Sequence, residues 1–141
     1  MSSTDLLAIY GALLATGLAA WDVFKYFHER AKLRVSCYVA EEFTPGVGRT
    51  ASNLLAYSIA NVGGRPIVVT TIGGELASGK SFMIIQNALP KTLQPGEALL
   101  LSAPMPENVT SITRFIVHDA IGNRWDTSPD NVWKQLQARP K

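Results

Sequence analysis

Leu54–Ile72 reads LLAYSIANVGGRPIVVTTI, and the fold class turns on it. Leu54–Val62 is a short, mostly apolar run that stops at Gly63–Gly64, and Pro66–Ile72 restarts as a segment rich in Val, Ile and Thr. β-Branched residues pack well on a pleated surface, so each half is expected to be a strand. Gly63 and Gly64 are expected to supply the positive φ that ends the first strand, and Pro66 to open the second.

The same punctuation continues in both directions. Upstream, Leu33, Val35, Cys37 and Val39 alternate with Arg34, Ser36 and Tyr38, the period of two of a half-buried strand. Thr44–Asn53 (TPGVGRTASN) is rich in turn residues and reads as a loop. Downstream, strands are expected at Ser81–Ile85, at Ala98–Ser102 after the Pro95–Gly96 turn, at Ser111–Asp119, and at Arg124–Thr127 after the turn at Ile121–Asn123. Seven short strands with turn signals between them fit a seven-stranded antiparallel immunoglobulin-like sandwich, a mainly β fold. No helical segments interleave with the strands, which argues against a parallel sheet. The tail SPDNVWKQLQ reads as a short C-terminal helix capped by Ser128, with Pro129 in its first position and Asp130 complementing its dipole. Val132, Trp133 and Leu136 would lie against the sheets, covering an edge or an open end.

The chain has 141 residues, 47% hydrophobic and only 17% charged, against about 25% charged in an average soluble domain. Most of the excess lies at the N-terminus. Leu6–Trp21 (LLAIYGALLATGLAAW) carries no charge, and the mostly apolar stretch continues to Phe27. At about 1.5 Å per residue the longer run reaches roughly 33 Å, enough for a hydrocarbon core of about 30 Å. Trp21, Tyr26 and the Lys25 stem suit the headgroup depth, and Thr4 and Asp5 are candidate caps for the helix start. Two units follow: a transmembrane helix with a basic juxtamembrane segment over residues 1–32, and a β domain over residues 33–141.

No basic residue precedes the helix, whereas Lys25, Arg30, Lys32 and Arg34 follow it closely. The bias of basic residues toward the cytoplasm puts the N-terminus outside and the β domain in the cytoplasm. The four basic residues are expected at the membrane surface, on anionic lipid. On a helical wheel Ala8, Gly11, Ala12, Ala15, Thr16, Ala19 and Ala20 share one half, and Leu6, Leu7, Tyr10, Leu13, Leu14, Leu18 and Trp21 the other. Small residues four apart let helix backbones approach closely in lipid. Ala8, Gly11, Ala12, Ala15, Ala19 and Asp22 are therefore the expected packing face, toward a second copy or another membrane protein.

The search for chemistry yields no constellation. His28 and His118 stand in no metal-ligand spacing with each other or with Cys37, the single cysteine, which belongs to the inward set of its strand. His118 and Asp119 are adjacent in a strand and point to opposite faces. No glycine cluster has the Lys and Ser/Thr of a phosphate loop. The net charge of +2, with no aromatic-interleaved basic run, gives no sign of nucleic-acid binding. Neither catalytic residues nor a cofactor nor a metal is expected.

Asn61–Ile72 (NVGGRPIVVTTI), Leu89–Leu101 (LPKTLQPGEALLL) and Val117–Trp125 (VHDAIGNRW) together resemble small bacterial and phage-borne proteins that couple one N-terminal transmembrane helix to an immunoglobulin-like domain. The resemblance spans nearly the whole chain and implies fold and topology, with no activity attached. The expected function is a non-enzymatic, membrane-anchored interaction module that binds a protein partner through the Thr44–Asn53 and Pro104–Asn108 loops. The alternatives are a structural subunit of a filament, virion or envelope assembly with bundled helices, and a periplasmic binding domain released by cleavage.

Overall fold

The computed structural model describes residues 2–138. Helix α1 (Ser3–His28) is followed by β1 (Leu33–Thr44), β2 (Gly48–Asn61), β3 (Ile67–Leu76), β4 (Ser81–Ile84), β5 (Lys91–Leu93), β6 (Ala98–Pro104), β7 (Ile112–Asp119), β8 (Arg124–Thr127) and helix α2 (Asp130–Gln137). The chain is mainly β, with one long apolar helix before the strands and one short helix after them.

The strong helix formers Ala and Leu dominate α1. Its start is a capping box: the Ser2 hydroxyl accepts from the Asp5 amide at 3.2 Å, and Asp5 Oδ2 accepts from the Ser2 amide at 3.1 Å. Asp5 thus acts in the cap as expected, but the cap residue is Ser2, and Thr4 lies inside the helix. At about 1.5 Å per residue the 26 residues extend about 39 Å, and none of them is buried.

The strands form two antiparallel sheets, one in the order β1-β2-β6 and the other β4-β3-β7-β8, with β5 also on β3. Eight strands stand where seven were expected. The extra one, β5, is three residues long, too short to show an alternation, yet it buries Leu93 completely. β4 and β5 share one edge of β3, through Ile72–Glu75 and Ile67–Val69 respectively. A bulge in β3 between Val69 and Thr71 changes the phase, so Val69 and Ile72 both face the core.

The expected Thr44–Asn53 loop is instead the outer part of a hairpin. β1 and β2 pair from Leu33↔Asn61 to Thr44↔Gly48, and the Val47 amide donates to Thr44 O at 3.0 Å. Gly46, at φ 81, follows Pro45 in the arrangement of a type II turn. Both faces of this arm stand clear of the core, so its residues carry no inward-outward alternation to read.

The core lies between the sheets. Cys37, Leu55, Tyr57, Ile59 and Leu101 come from one; Val69, Ile72, Phe115 and Val117 come from the other. The Tyr57 hydroxyl crosses between them and donates to Gly73 O at 2.6 Å, while its ring meets Phe115 edge-on at 5.7 Å. Gly73 has no room for a side chain, because a Cβ there would overlap the Phe82 carbonyl of β4.

Strand β1 is an edge strand, paired only with β2, and α2 closes its open side. Gln135 Oε1 accepts from the Val39 amide at 2.6 Å, and Asn131 Nδ2 donates to Cys37 O at 3.3 Å. Two side-chain amides thereby occupy backbone groups that a neighbouring chain would otherwise pair with. Helix α2 begins one residue later than expected, but the Ser128 hydroxyl still accepts from the Asp130 amide at 3.3 Å. Each of these bonds contributes about 1 kcal/mol. The double substitution Gln135→Ala and Asn131→Ala is therefore expected to destabilise the domain by roughly 2 kcal/mol. It should also give concentration-dependent association through the bared edge, read by light scattering.

Candidate junction between the apolar helix and the β domain

The chain leaves α1 at His28 and enters β1 at Leu33, and this short connection is laid against the glycine pair of the β2–β3 turn. The amides of Val62 and Gly63 donate to Lys32 O at 3.0 and 3.2 Å, and the Gly64 amide donates to Arg30 O at 3.2 Å. A Cβ on Gly63 would overlap Arg30 O, and one on Gly64 would sit 2.7 Å from the Glu29 Cα. Gly63 and Gly64 are thus glycines because another backbone passes where their side chains would be. They are not among the glycines with positive φ, which corrects the sequence reading.

Asn61 fixes the other side of the turn. Its side chain is 1% exposed; Nδ2 donates to Arg65 O at 2.7 Å and Leu93 O at 2.9 Å, and Oδ1 accepts from the Gly63 amide at 3.1 Å. The Pro95–Gly96 turn closes beside it: the Gly96 amide donates to Asn61 O at 2.9 Å, Glu97 N donates to Gln94 O at 3.0 Å, and Gly96 has φ 83. One residue therefore ties β2, β5 and the turn that holds the helix connection.

Between the last turn of α1 and the domain lies an open cleft of about 660 Å³, lined by Phe27, His28, Arg30, Lys32, Trp125 and the Val62–Gly64 backbone. Of the four basic residues expected at a membrane surface, the cleft takes Arg30 and Lys32. The Arg30 guanidinium lies over the Phe27 ring at 5.6 Å. Lys25 instead pairs with Glu29 at 3.9 Å, one helical turn on, and Arg34 points out from the face of β1 opposite the buried Leu33. Trp125 Nε1 is the single buried side-chain N or O atom without a partner among the described residues.

The six residues of the expected packing face, Ala8, Gly11, Ala12, Ala15, Ala19 and Asp22, all lie on α1 and none is covered by the domain. A Cβ on Gly11 would meet nothing within 4 Å. Thr16, on the same side, returns its hydroxyl to Ala12 O at 2.8 Å, which removes a free donor from the apolar surface. The aromatic residues gather at the C-terminal end of the helix, with Trp21–Phe24 centroids 5.9 Å apart and Phe24 stacked on His28 at 5.3 Å.

The two segments expected to bind a partner share the end of the domain away from α1. Leu33 pairs with Asn61 beside the helix connection, whereas Leu54 pairs with Pro104 at the other end and the hairpin extends beyond it. From Leu33 to Thr44 a strand rises about 36 Å. The tip carries exposed Phe43 and Val47, at 61% and 74%, with the Arg49 guanidinium over the Phe43 ring.

The remaining titratable candidates stand apart. Cys37 is buried, and desolvation pushes its thiol far above the ordinary range, so it stays protonated. His118 is exposed on the outer face of β7, while Asp119 turns inward and accepts from the amides of Ile121 and Asn123 at 3.1 and 2.7 Å. Asp119 is a turn former within the Val117–Trp125 segment. Among the described residues no three His, Cys, Asp or Glu side chains come together in a way that could hold a metal ion.

No protein-family model and no curated protein matches the chain. Among solved structures it is similar to the X-ray structure of the Northeast Structural Genomics Consortium target SoR45, at 12% identity over 70% of this chain and 80% of that one. The TM-score is 0.27, too low for that likeness to bear on fold or function.

Proposed function

We propose that this chain is a non-enzymatic, single-pass membrane protein whose immunoglobulin-like sandwich is an interaction module held at the membrane surface. The observation that carries the reading is a 26-residue apolar helix with no buried residue, joined to a β domain whose core it does not enter. An exposed apolar surface of that size needs a non-aqueous environment. The backbone docking at Gly63–Gly64 makes the connection stiff, so the domain is held at a set height and angle instead of swinging on a tether. The basic residues that follow the helix orient the domain toward the cytoplasm. Recognition falls to the hairpin tip and the Pro104–Asn108 loop, which share the end away from the helix. Exposed loops and aromatic tips of that kind carry binding in many β domains. The likeness to bacterial and phage-borne helix-plus-sandwich proteins agrees with this reading.

Deleting residues 2–28 tests it. The truncated chain should be folded and monodisperse in water, whereas the full chain should need detergent. A full chain that is monodisperse in plain buffer would contradict the proposal. The small-residue face of α1 adds self-association or pairing with another membrane helix. Substituting Gly11, Ala15 and Ala19 by Leu is expected to reduce the oligomeric fraction in detergent about tenfold, since packing of this kind contributes on the order of 1–2 kcal/mol. Cross-linking at matched detergent-to-protein ratio measures it.

A further inference from the structure

We infer that the cleft between α1 and the β domain is a binding site for the phosphate-bearing headgroup of an anionic phospholipid. The inference rests on the membrane-spanning reading of α1 and adds a specific ligand to it. Three observations converge. Arg30 and Lys32 both line the cleft, and neither has a carboxylate within ion-pair distance among the described residues. The nearest acid in sequence, Glu29, is turned to Lys25. The cleft is therefore cationic and unneutralised, and guanidinium and ammonium groups are the donors that phosphate oxygens take. Trp125 lines the cleft with an indole ring, a side chain that favours headgroup depth.

The position selects a lipid over a soluble anion. One wall is Phe27 and His28, the last turn of the apolar helix, so a ligand in the cleft lies where headgroups lie. From there acyl chains run along the exposed side chains of Trp21, Phe24 and Phe27. The docking of residues 30–32 on Gly63–Gly64 fixes the backbone from which both cations extend.

The test uses the full chain in a zwitterionic detergent, with bound lipid counted by native mass spectrometry after addition of equimolar phosphatidylglycerol and phosphatidylcholine. Phosphatidylglycerol is expected to be retained preferentially. Arg30→Gln with Lys32→Gln is expected to weaken that preference about thirtyfold, from the usual contribution of a basic residue at an anionic surface. Lys80→Gln, which removes an exposed charge outside the cleft, should leave it unchanged. Both altered side chains are exposed, and an unchanged melting temperature confirms that the fold survives. Equal retention of the two lipids, or an equal loss with Lys80→Gln, would overturn the assignment. So would displacement of the lipid by inorganic phosphate at similar concentration, which would make the site one for a soluble anion. The measurement is made in detergent and reports on the cleft alone. A chain that keeps the Arg30/Lys32-dependent preference but is washed from membranes by carbonate would refute the spanning reading and leave the cleft assignment standing.

Discussion

Replacing Gly63 with valine is expected to lift the Arg30–Lys32 segment off the domain and destabilise it by roughly 3 kcal/mol. The new Cβ would overlap Arg30 O, and the obstacle is backbone, so no side-chain rotation relieves it. The connection must retreat, and with it go the bonds from Val62, Gly63 and Gly64 to Lys32 O and Arg30 O. Trypsin supplies a direct readout, since both released residues are cleavage sites. Cutting after Arg30 and Lys32 should be slow in the parent and fast in the variant, while the β core keeps its circular dichroism. Gly46→Ala is an informative control: Gly46 also is strained by a side chain, through its φ of 81, but it sits at the far hairpin tip and should leave trypsin cutting at the junction unchanged.

Asn61→Ala should cost about as much, by a different route. The wild-type side chain makes three hydrogen bonds in a buried site; alanine takes the side-chain donor from the Leu93 and Arg65 carbonyls and leaves the Gly63 amide with Lys32 O alone. An unanswered buried polar group costs about 1–3 kcal/mol, and the net loss here is roughly 3 kcal/mol. Denaturant titration measures it as a lowered midpoint with an unchanged slope, because the surface exposed on unfolding stays the same. Asn61→Asp is expected to be no better than alanine. It keeps the acceptor for Gly63 but turns a carboxylate toward two carbonyl oxygens.

What the sequence made legible followed from periodicity and composition. Leu33, Val35, Cys37 and Val39 do turn inward together, because a half-buried strand must alternate. The Pro95–Gly96 turn and the end of β7 at Asp119 were readable for a similar reason, since positive φ and a side chain that answers its own backbone leave marks in residue choice. The outer hairpin was not legible because Glu42–Ser52 lies outside the core, and an element without a buried face has no pattern. β5 escaped because its place depends on Asn61 and on the free half of the β3 edge, both distant in sequence. The junction was the least legible feature. Gly63–Gly64 signals a special backbone requirement, but a positive φ and a close approach by another chain segment look alike in sequence. Only the position of Arg30–Lys32 decides between them. Trp125 gave no sign at all, because its relation to the cleft is set by a hairpin about ninety residues beyond Arg30.

In the proposed arrangement α1 crosses a membrane and holds the β domain on its cytoplasmic face. Its most direct test is alkaline carbonate extraction of membranes carrying the full chain, with protease digestion of a C-terminal tag in intact spheroplasts. The chain is expected to stay in the carbonate-washed pellet, and the tag to survive until the membrane is permeabilised. Release into the carbonate supernatant would contradict the anchor, and digestion of the tag in intact spheroplasts would contradict the orientation.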